Sequence, residues 1–304
     1  MRILVSGSTG LIGTALMPAL VRDGHDIVRL IRARELHNVG TVYWNPNNGE
    51  FDRAHLGEID AVVHLAGKSI AAGRWTTRLK QRIRDSRLNG TRLLCETVAS
   101  LERKPSVIVS ASAVGYYGNR GDELLREDSA PGTGFLADLT REWEDALQPA
   151  AQAGIRTVAL RIATVLTRHG GALTKLLPLF RAGLGGKLGP GTQYISWVAL
   201  DDLVDIIRFV LTNNTISGPI NAVAPHSVTN VEFTKTLGHV LKRPTVCAVP
   251  SFALRLAVGG LADEGLLAST RAYPALLLKH GFEFSCPDME TALRSALAGT
   301  PHHV

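Results

Sequence analysis

The sequence predicts an α/β protein, a doubly wound parallel sheet with a small, mainly helical C-terminal substrate-side domain. Three observations carry this. Short apolar runs alternate with segments of helical periodicity through the first half of the chain. The first of these runs ends in a loop of three spaced glycines that leads directly into a helical segment. From about Val246 the pattern turns to short helical stretches, ending in the amphipathic segment Asp288–Leu297.

Each element has its own signal. Arg2–Ser6 is apolar and stops at Gly7, as a buried strand does. Thr14 to Asp23 carries Ala15, Leu16, Ala19 and Leu20 at helical spacing, and Gly24 stops it. Ile27–Ile31 and Thr41–Trp44 read as strands. Asp60–Leu65 contains Ala61-Val62-Val63, an uninterrupted apolar run expected of a strand covered on both faces. Arg78–Leu101 reads as a helix, Ser106–Ser110 as a strand, Leu136–Ala153 as a helix and Thr157–Ile162 as a strand. Beyond Val165 glycines punctuate the chain at 170, 171, 183, 185, 186, 189 and 191. Leu173, Leu176, Leu177, Leu179 and Phe180 supply a helix between them, and Val198–Leu211 is again helical.

In a doubly wound sheet, ligands bind outside the carboxyl ends of the strands, where strand order reverses. Residues 7–13, Gly-Ser-Thr-Gly-Leu-Ile-Gly, lie in such a place, between the first strand and the first helix. Glycine there permits a tight turn and close backbone approach to a pyrophosphate, while the helix N-terminus offers free N–H groups. This is the pattern of a Rossmann-type dinucleotide site. The second strand ends in Arg29-Leu30-Ile31-Arg32-Ala33-Arg34, with no acid before Glu35. An acid there would bind the ribose 2′-hydroxyl of NAD, whereas arginine accommodates the 2′-phosphate of NADP. Arg32, with Arg34 behind it, therefore predicts NADP. His64-Leu65-Ala66-Gly67 closes the fourth strand with small residues that let the backbone lie against adenosine, and His64 itself reads as a satisfied strand-end residue.

The glycine loop, His64-Leu65-Ala66-Gly67, and the run Ser110-Ala111-Ser112-Ala113-Val114-Gly115-Tyr116-Tyr117-Gly118 together resemble the extended branch of the short-chain dehydrogenase/reductase superfamily. Ser86-Arg87, Trp143-Glu144, Gly170-Gly171-Ala172-Leu173, Ser196-Trp197, Asn221-Ala222-Val223-Ala224-Pro225 and Arg243-Pro244 narrow the resemblance to its atypical "epimerase family" group. That resemblance implies an NADP-binding domain over residues 1–220 and a cap over 221–304, with a domain of unknown function at about 247–297. It also implies cofactor contacts at Gly7, Thr9, Gly10, Leu11, Ile12, Gly13, Arg32, Leu65, Ala66, Gly67 and Arg87.

One part of the pattern is missing. Active members of the superfamily use a Tyr-x-x-x-Lys pair on the helix after the fifth strand. Here Phe135 or Leu136 takes the tyrosine place, and Leu139 or Thr140 the lysine place. Ser112 matches the family's catalytic serine, and Tyr116 or Tyr117 is the candidate replacement phenol. Asp201 and Asp202, at a helix start, read as capping carboxylates. Lys68 stands where the resembled group usually has an acid. Two functions follow: an NADP-dependent oxidoreductase or epimerase-like enzyme on a small polar carbonyl or sugar derivative, or a non-catalytic NADP(H)-binding sensor.

Composition limits the rest. The chain has 304 residues, 45% hydrophobic and 20% charged, ordinary for a folded soluble protein. No apolar stretch approaches the length of a membrane span, and the N-terminus shows no signal peptide. Three scattered cysteines, Cys95, Cys247 and Cys286, fit reduced thiols in a cytoplasm and offer no metal spacing. The net charge is +6, and one dense basic run stands out, Arg74 to Arg87. It reads as a solvated helix face or a local anion site; no nucleic-acid motif accompanies it.

Overall fold

A computed structural model of the chain describes residues 1–33 and 39–298. Arg34, the second arginine expected near the ribose, lies outside the described residues. β1 (Arg2–Ser6) leads through the glycine loop into α1 (Leu11–Arg22). β2 (Asp26–Ile31), β3 (Thr41–Asn45) and β4 (Glu50–Phe51) follow, then β5 (Ala61–His64), α2 (Thr77–Ala99) and β6 (Val107–Ala113). β7 (Leu124–Leu125) precedes α3 (Phe135–Asp145), α4 (Gln148–Gln152) and β8 (Arg156–Ile162). Next come β9 (Thr164–Leu166), α5 (Gly171–Arg181), β10 (Tyr194–Ile195), β11 (Trp197–Ala199), α6 (Leu200–Thr212), β12 (Gly218–Ala222), β13 (Val228–Thr229) and α7 (Asn230–Leu241). The C-terminal part holds α8 (Ser251–Val258), a π-type turn (Ala262–Leu266), β14 (Arg271–Ala272), α9 (Ala275–Lys279) and α10 (Met289–Ala298).

Among the described residues the main sheet has eight strands in the order β12-β8-β6-β5-β1-β2-β3-β4. Neighbours run parallel except β3 with β4. The chain builds outward from β1 to β3, then crosses back to β5 and proceeds the other way. The reversal therefore falls between β1 and β5, and its crevice opens at their carboxyl ends. Strand alternation makes two cores. Ile3, Val5, Val63 and Val109 pack with Leu16 and Leu20 of α1 and Leu203 and Ile207 of α6. Leu4, Val28, Leu30, Val62 and Ile108 pack with Leu94 and Val98 of α2 on the other face. Because both faces are buried, the strands read as continuous apolar runs rather than alternating ones. A third core joins α5, α7 and α10 through Leu173, Phe180, Phe233, Leu237, Met289 and Leu293, so α5 packs with the C-terminal helices.

Three local expectations change. The helix expected over 136–153 breaks after Asp145, because Pro149 in the first turn of α4 has no N–H to continue the ladder. Trp197–Ala199 is a buried strand parallel to β9, so α6 begins only at Leu200. Its N-terminus has no side-chain cap. Asp202 is buried instead and accepts the N–H groups of Ser285 (2.8 Å) and Cys286 (3.1 Å), pinning the C-terminal segment to the main domain. Burial raises its pKa against the pull of those two donors. No helix among the described residues is long and apolar enough to cross a membrane.

Candidate functional site

The glycine loop is built by steric necessity. Gly7 has φ +71°, and a Cβ on it would lie 2.7 Å from the Leu65 carbonyl carbon. A Cβ on Gly13 would lie 2.3 Å from the Gly7 oxygen. Both distances are far inside van der Waals contact, so only glycine closes the loop against β5. Gly10 has an ordinary extended backbone (φ −78°) as the N-cap of α1, and its N–H donates to Gly7 O at 2.9 Å. No side chain caps α1 and its first turn carries no acid, which leaves its N–H groups and positive dipole end facing the crevice. Thr9 and Gly10 are exposed there, with Leu11 and Ile12 half-buried. Gly170 lies over Leu11; a Cβ on it would come within 2.8 Å of Leu11 Cδ1, so the loop before α5 roofs the start of α1. This cradle, which side chains would fill, fits the pyrophosphate of a dinucleotide.

At the end of β5, the N–H groups of Leu65 and Ala66 both reach Ser6 Oγ (3.2 and 3.3 Å), which fixes the backbone beside Gly7. His64 is fully buried between Ser6 Oγ (2.6 Å) and Thr91 Oγ1 (3.0 Å), as the strand-end reading expects. Burial pushes its pKa down to about 4, so it is neutral at pH 7 and built into the core. Gly67 faces Arg87, whose guanidinium donates to the carbonyls of Lys68 (2.9 Å) and Ile83 (3.3 Å) and lies over the Trp143 ring. Burial lowers the Arg87 pKa to about 10, still cationic at neutral pH.

The basic run divides accordingly. Arg78 and Arg82 are exposed, whereas Arg84 pairs with Glu142 (2.6 Å) and Arg87 turns into the crevice. Arg32 is exposed just past β2 and makes no hydrogen bond or ion pair among the described residues. Arg29, which sequence reasoning passed over, donates from Nε to Ser8 Oγ at 3.0 Å.

The carboxyl end of β6 carries a buried polar network. Ser112 is 4% exposed and donates from Oγ to Glu144 Oε1 at 2.6 Å. Glu144 in turn receives a two-pronged bond from Arg161, Nε to Oε1 and Nη2 to Oε2, each 2.9 Å. Burial works to lower the Arg161 pKa, but the hydrogen bonds and charge of Glu144 more than offset it. Arg161 Nη1 donates to the Tyr117 hydroxyl (3.0 Å), which lies 2.7 Å from Asn221 Oδ1. Tyr117 is fully buried, and burial pushes its pKa up to about 12 despite Arg161. Its phenol is a protonated strut, and this takes it out of the candidates for proton transfer at a ligand. Tyr116 is half-buried, with its ring 3.5 Å from the Arg161 guanidinium carbon.

The orientation of α3 is also fixed. Leu136 and Thr140 face Gly115 in the turn after β6, whereas Phe135 meets the Trp75 ring edge to face and Leu139 is buried. Of the residues that could stand at the tyrosine and lysine places, Leu136 and Thr140 are the pair beside the turn after β6. The C-terminal part reaches this same point: Glu264 accepts the Leu136 N–H at 2.8 Å, with Lys80 Nζ 3.9 Å from its other oxygen. Lys68 Nζ makes no hydrogen bond or ion pair among the described residues, and these hold no cluster of three metal-ligating side chains. The Glu144–Arg161 bridge escaped sequence reasoning because its partners are 17 residues apart on different elements. The only signal was the Trp143-Glu144 pair.

Comparison with known proteins agrees with this architecture. The profile of the NAD dependent epimerase/dehydratase family matches residues 3–222, and that of a domain of unknown function, DUF1731, matches 249–296. An epimerase family protein of Mycobacterium tuberculosis (strain CDC 1551 / Oshkosh) is 45% identical over 282 residues, covering 93% of each chain. The crystal structure of human epimerase family protein SDR39U1 with NADPH superposes with a TM-score of 0.91 at 32% identity, over 99% of this chain and 100% of that one. A nucleoside-diphosphate sugar epimerase from Corynebacterium glutamicum superposes with a TM-score of 0.81 at 36% identity, over 98% of this chain and 58% of that one.

Proposed function

The chain belongs to the NAD dependent epimerase/dehydratase family, and from that premise we propose that it is an NADP(H)-dependent oxidoreductase or epimerase-like enzyme acting on a small polar carbonyl or sugar-derived substrate. NADP is favoured over NAD by Arg32, a cation free of protein partners among the described residues where the ribose would lie, and by the NADPH in the human relative. Gly7, Thr9, Gly10, Leu11, Ile12 and Gly13 would hold the pyrophosphate, Leu65, Ala66 and Gly67 the adenosine side, and Arg87 a further anionic group. When bound, the dinucleotide supplies hydride exchange.

The observation that carries the catalytic half of the reading is the 2.6 Å bond from Ser112 to Glu144. Its proton is committed to a carboxylate, so Ser112 Oγ presents lone pairs to a substrate hydroxyl. Glu144, itself held by Arg161, keeps the serine proton turned away from the crevice, so Ser112 would accept and orient that hydroxyl. Positioning of a substrate hydroxyl at Ser112 thus needs neither tyrosine nor lysine. Tyr116, on the neighbouring turn, is the remaining phenol within the cluster.

A second reading rests on two observations: the pair beside the turn after β6 is Leu136 and Thr140 rather than tyrosine and lysine, and Ser112 is nearly covered. These favour a non-catalytic NADP(H)-binding sensor. Oxidation of NADPH by a panel of small carbonyls and sugar derivatives separates the two. The enzyme reading expects slow turnover that falls at least ~10²-fold in Ser112→Ala, with NADPH affinity unchanged. Normal NADPH binding with no oxidation by any substrate, or only a trace activity indifferent to Ser112→Ala, Tyr116→Phe and Tyr117→Phe, supports the sensor.

A further inference from the structure

The pattern of β2 contains an anomaly. Val28 and Leu30 are buried against α2, and the register that sets Arg29 opposite Val5 turns it to the α1 face. Ile27 on that face packs into the core, so an apolar residue is the expectation at 29. The arginine found there is half-buried, and it reaches along the sheet rather than out of it. Its Nε meets Ser8 Oγ, three residues beyond the paired Val5 and past the carboxyl end of β1. Ser8 is only 7% exposed because the left-handed turn at Gly7 folds its side chain inward onto the guanidinium.

This bond uses one of the five N–H donors of Arg29. No carboxylate pairs with the guanidinium, and no other hydrogen bond engages it among the described residues. A half-buried cation without a counter-ion is costly unless an anion comes to it. Ser8 accepts from Arg29, so its own hydroxyl proton is free to donate in the same direction. Arg29 reaches Ser8 at the end of β1, and the exposed Arg32 stands just past the end of β2, the part of a doubly wound sheet where the adenosine ribose lies.

We propose that Arg29, oriented by Ser8, is a second cation of a 2′-phosphate subsite, so that preference for NADP over NAD is set by Arg29 and Arg32 together. The proposal rests on the NADP(H) reading above. A planar fork held at one nitrogen is suited to grip phosphate through its other two.

The test is calorimetry on the full chain with NADPH, NADH, adenosine 2′,5′-bisphosphate and ADP. Arg29→Gln should weaken NADPH and the bisphosphate by about 10-fold or more, the scale of a lost charged hydrogen bond. NADH and ADP should be unaffected. Arg29→Lys, which keeps charge without the fork, should fall between, and Ser8→Ala should show a smaller loss confined to the 2′-phosphorylated ligands. If Arg29→Gln does not fold, Arg29→Lys and Ser8→Ala carry the same comparison. Undiminished preference for NADPH in folded variants overturns the proposal, and so does an equal loss for both dinucleotides, which would make Arg29 a scaffold for the loop. Failure of the unmodified protein to bind either dinucleotide removes the NADP(H) reading itself, and the subsite with it.

Discussion

Replacing Glu144 tests the buried network that ties β6, α3 and β8 together. Its carboxylate takes three hydrogen bonds, one from Ser112 and two from Arg161, and the Arg161 side chain is 3% exposed. In Glu144→Ala the guanidinium loses its salt-bridge partner without gaining access to water. Removing one partner of such a pair typically costs ~3–5 kcal/mol. In a chain of this size that corresponds to roughly 6–10 °C in melting temperature. Glu144→Gln should be nearly as damaging, since an amide cannot accept at both oxygen positions. Removing both partners, as in Glu144→Leu with Arg161→Met, should cost less than the sum of the single changes, because no charge is left stranded. Urea unfolding followed by far-UV dichroism gives the free energies. A loss under ~1 kcal/mol in Glu144→Ala, or strict additivity in the double variant, would refute the claim that the bridge is a desolvated strut.

Two further outcomes follow from single residues. Gly13→Ala places a Cβ where the Gly7 oxygen stands, so it should abolish NADPH binding with far-UV dichroism near that of the unmodified protein; retained affinity would show that the loop opens without consequence. His64, neutral in the core with a pKa near 4 against 6.5 for a free imidazole, contributes stability that is complete above pH 6.5 and lost as pH falls toward 4, on the order of 3 kcal/mol. His64→Asn should lack that slope in an unfolding series from pH 7 to pH 4, and an identical slope in both proteins would assign it elsewhere.

The sheet was legible because its strands are buried on both faces and their helices carry single apolar stripes; runs such as Ala61-Val62-Val63 admit few alternatives. The glycine loop was legible because Gly7 and Gly13 answer a local steric demand. What escaped was set by tertiary contact. Asp202 looks like a helix cap in sequence, and only the fold brings Ser285 and Cys286 to it. Tyr116 and Tyr117 are equivalent neighbours on paper. The fold buries one hydroxyl against Arg161 and Asn221 and leaves the other ring stacked on the same guanidinium. Arg29 carries a charge at a position whose strand pattern calls for an apolar residue, and its meaning appears only when Ser8 folds back onto it.

The crevice between β1 and β5 is the proposed site of NADP(H). Calorimetric titration of the unmodified chain with NADPH and NADH tests it most directly. The expected result is one site per chain and a preference for NADPH of about 10-fold or more, falling away when salt screens the 2′-phosphate contacts. No binding of either dinucleotide, or equal affinity for both, would contradict it.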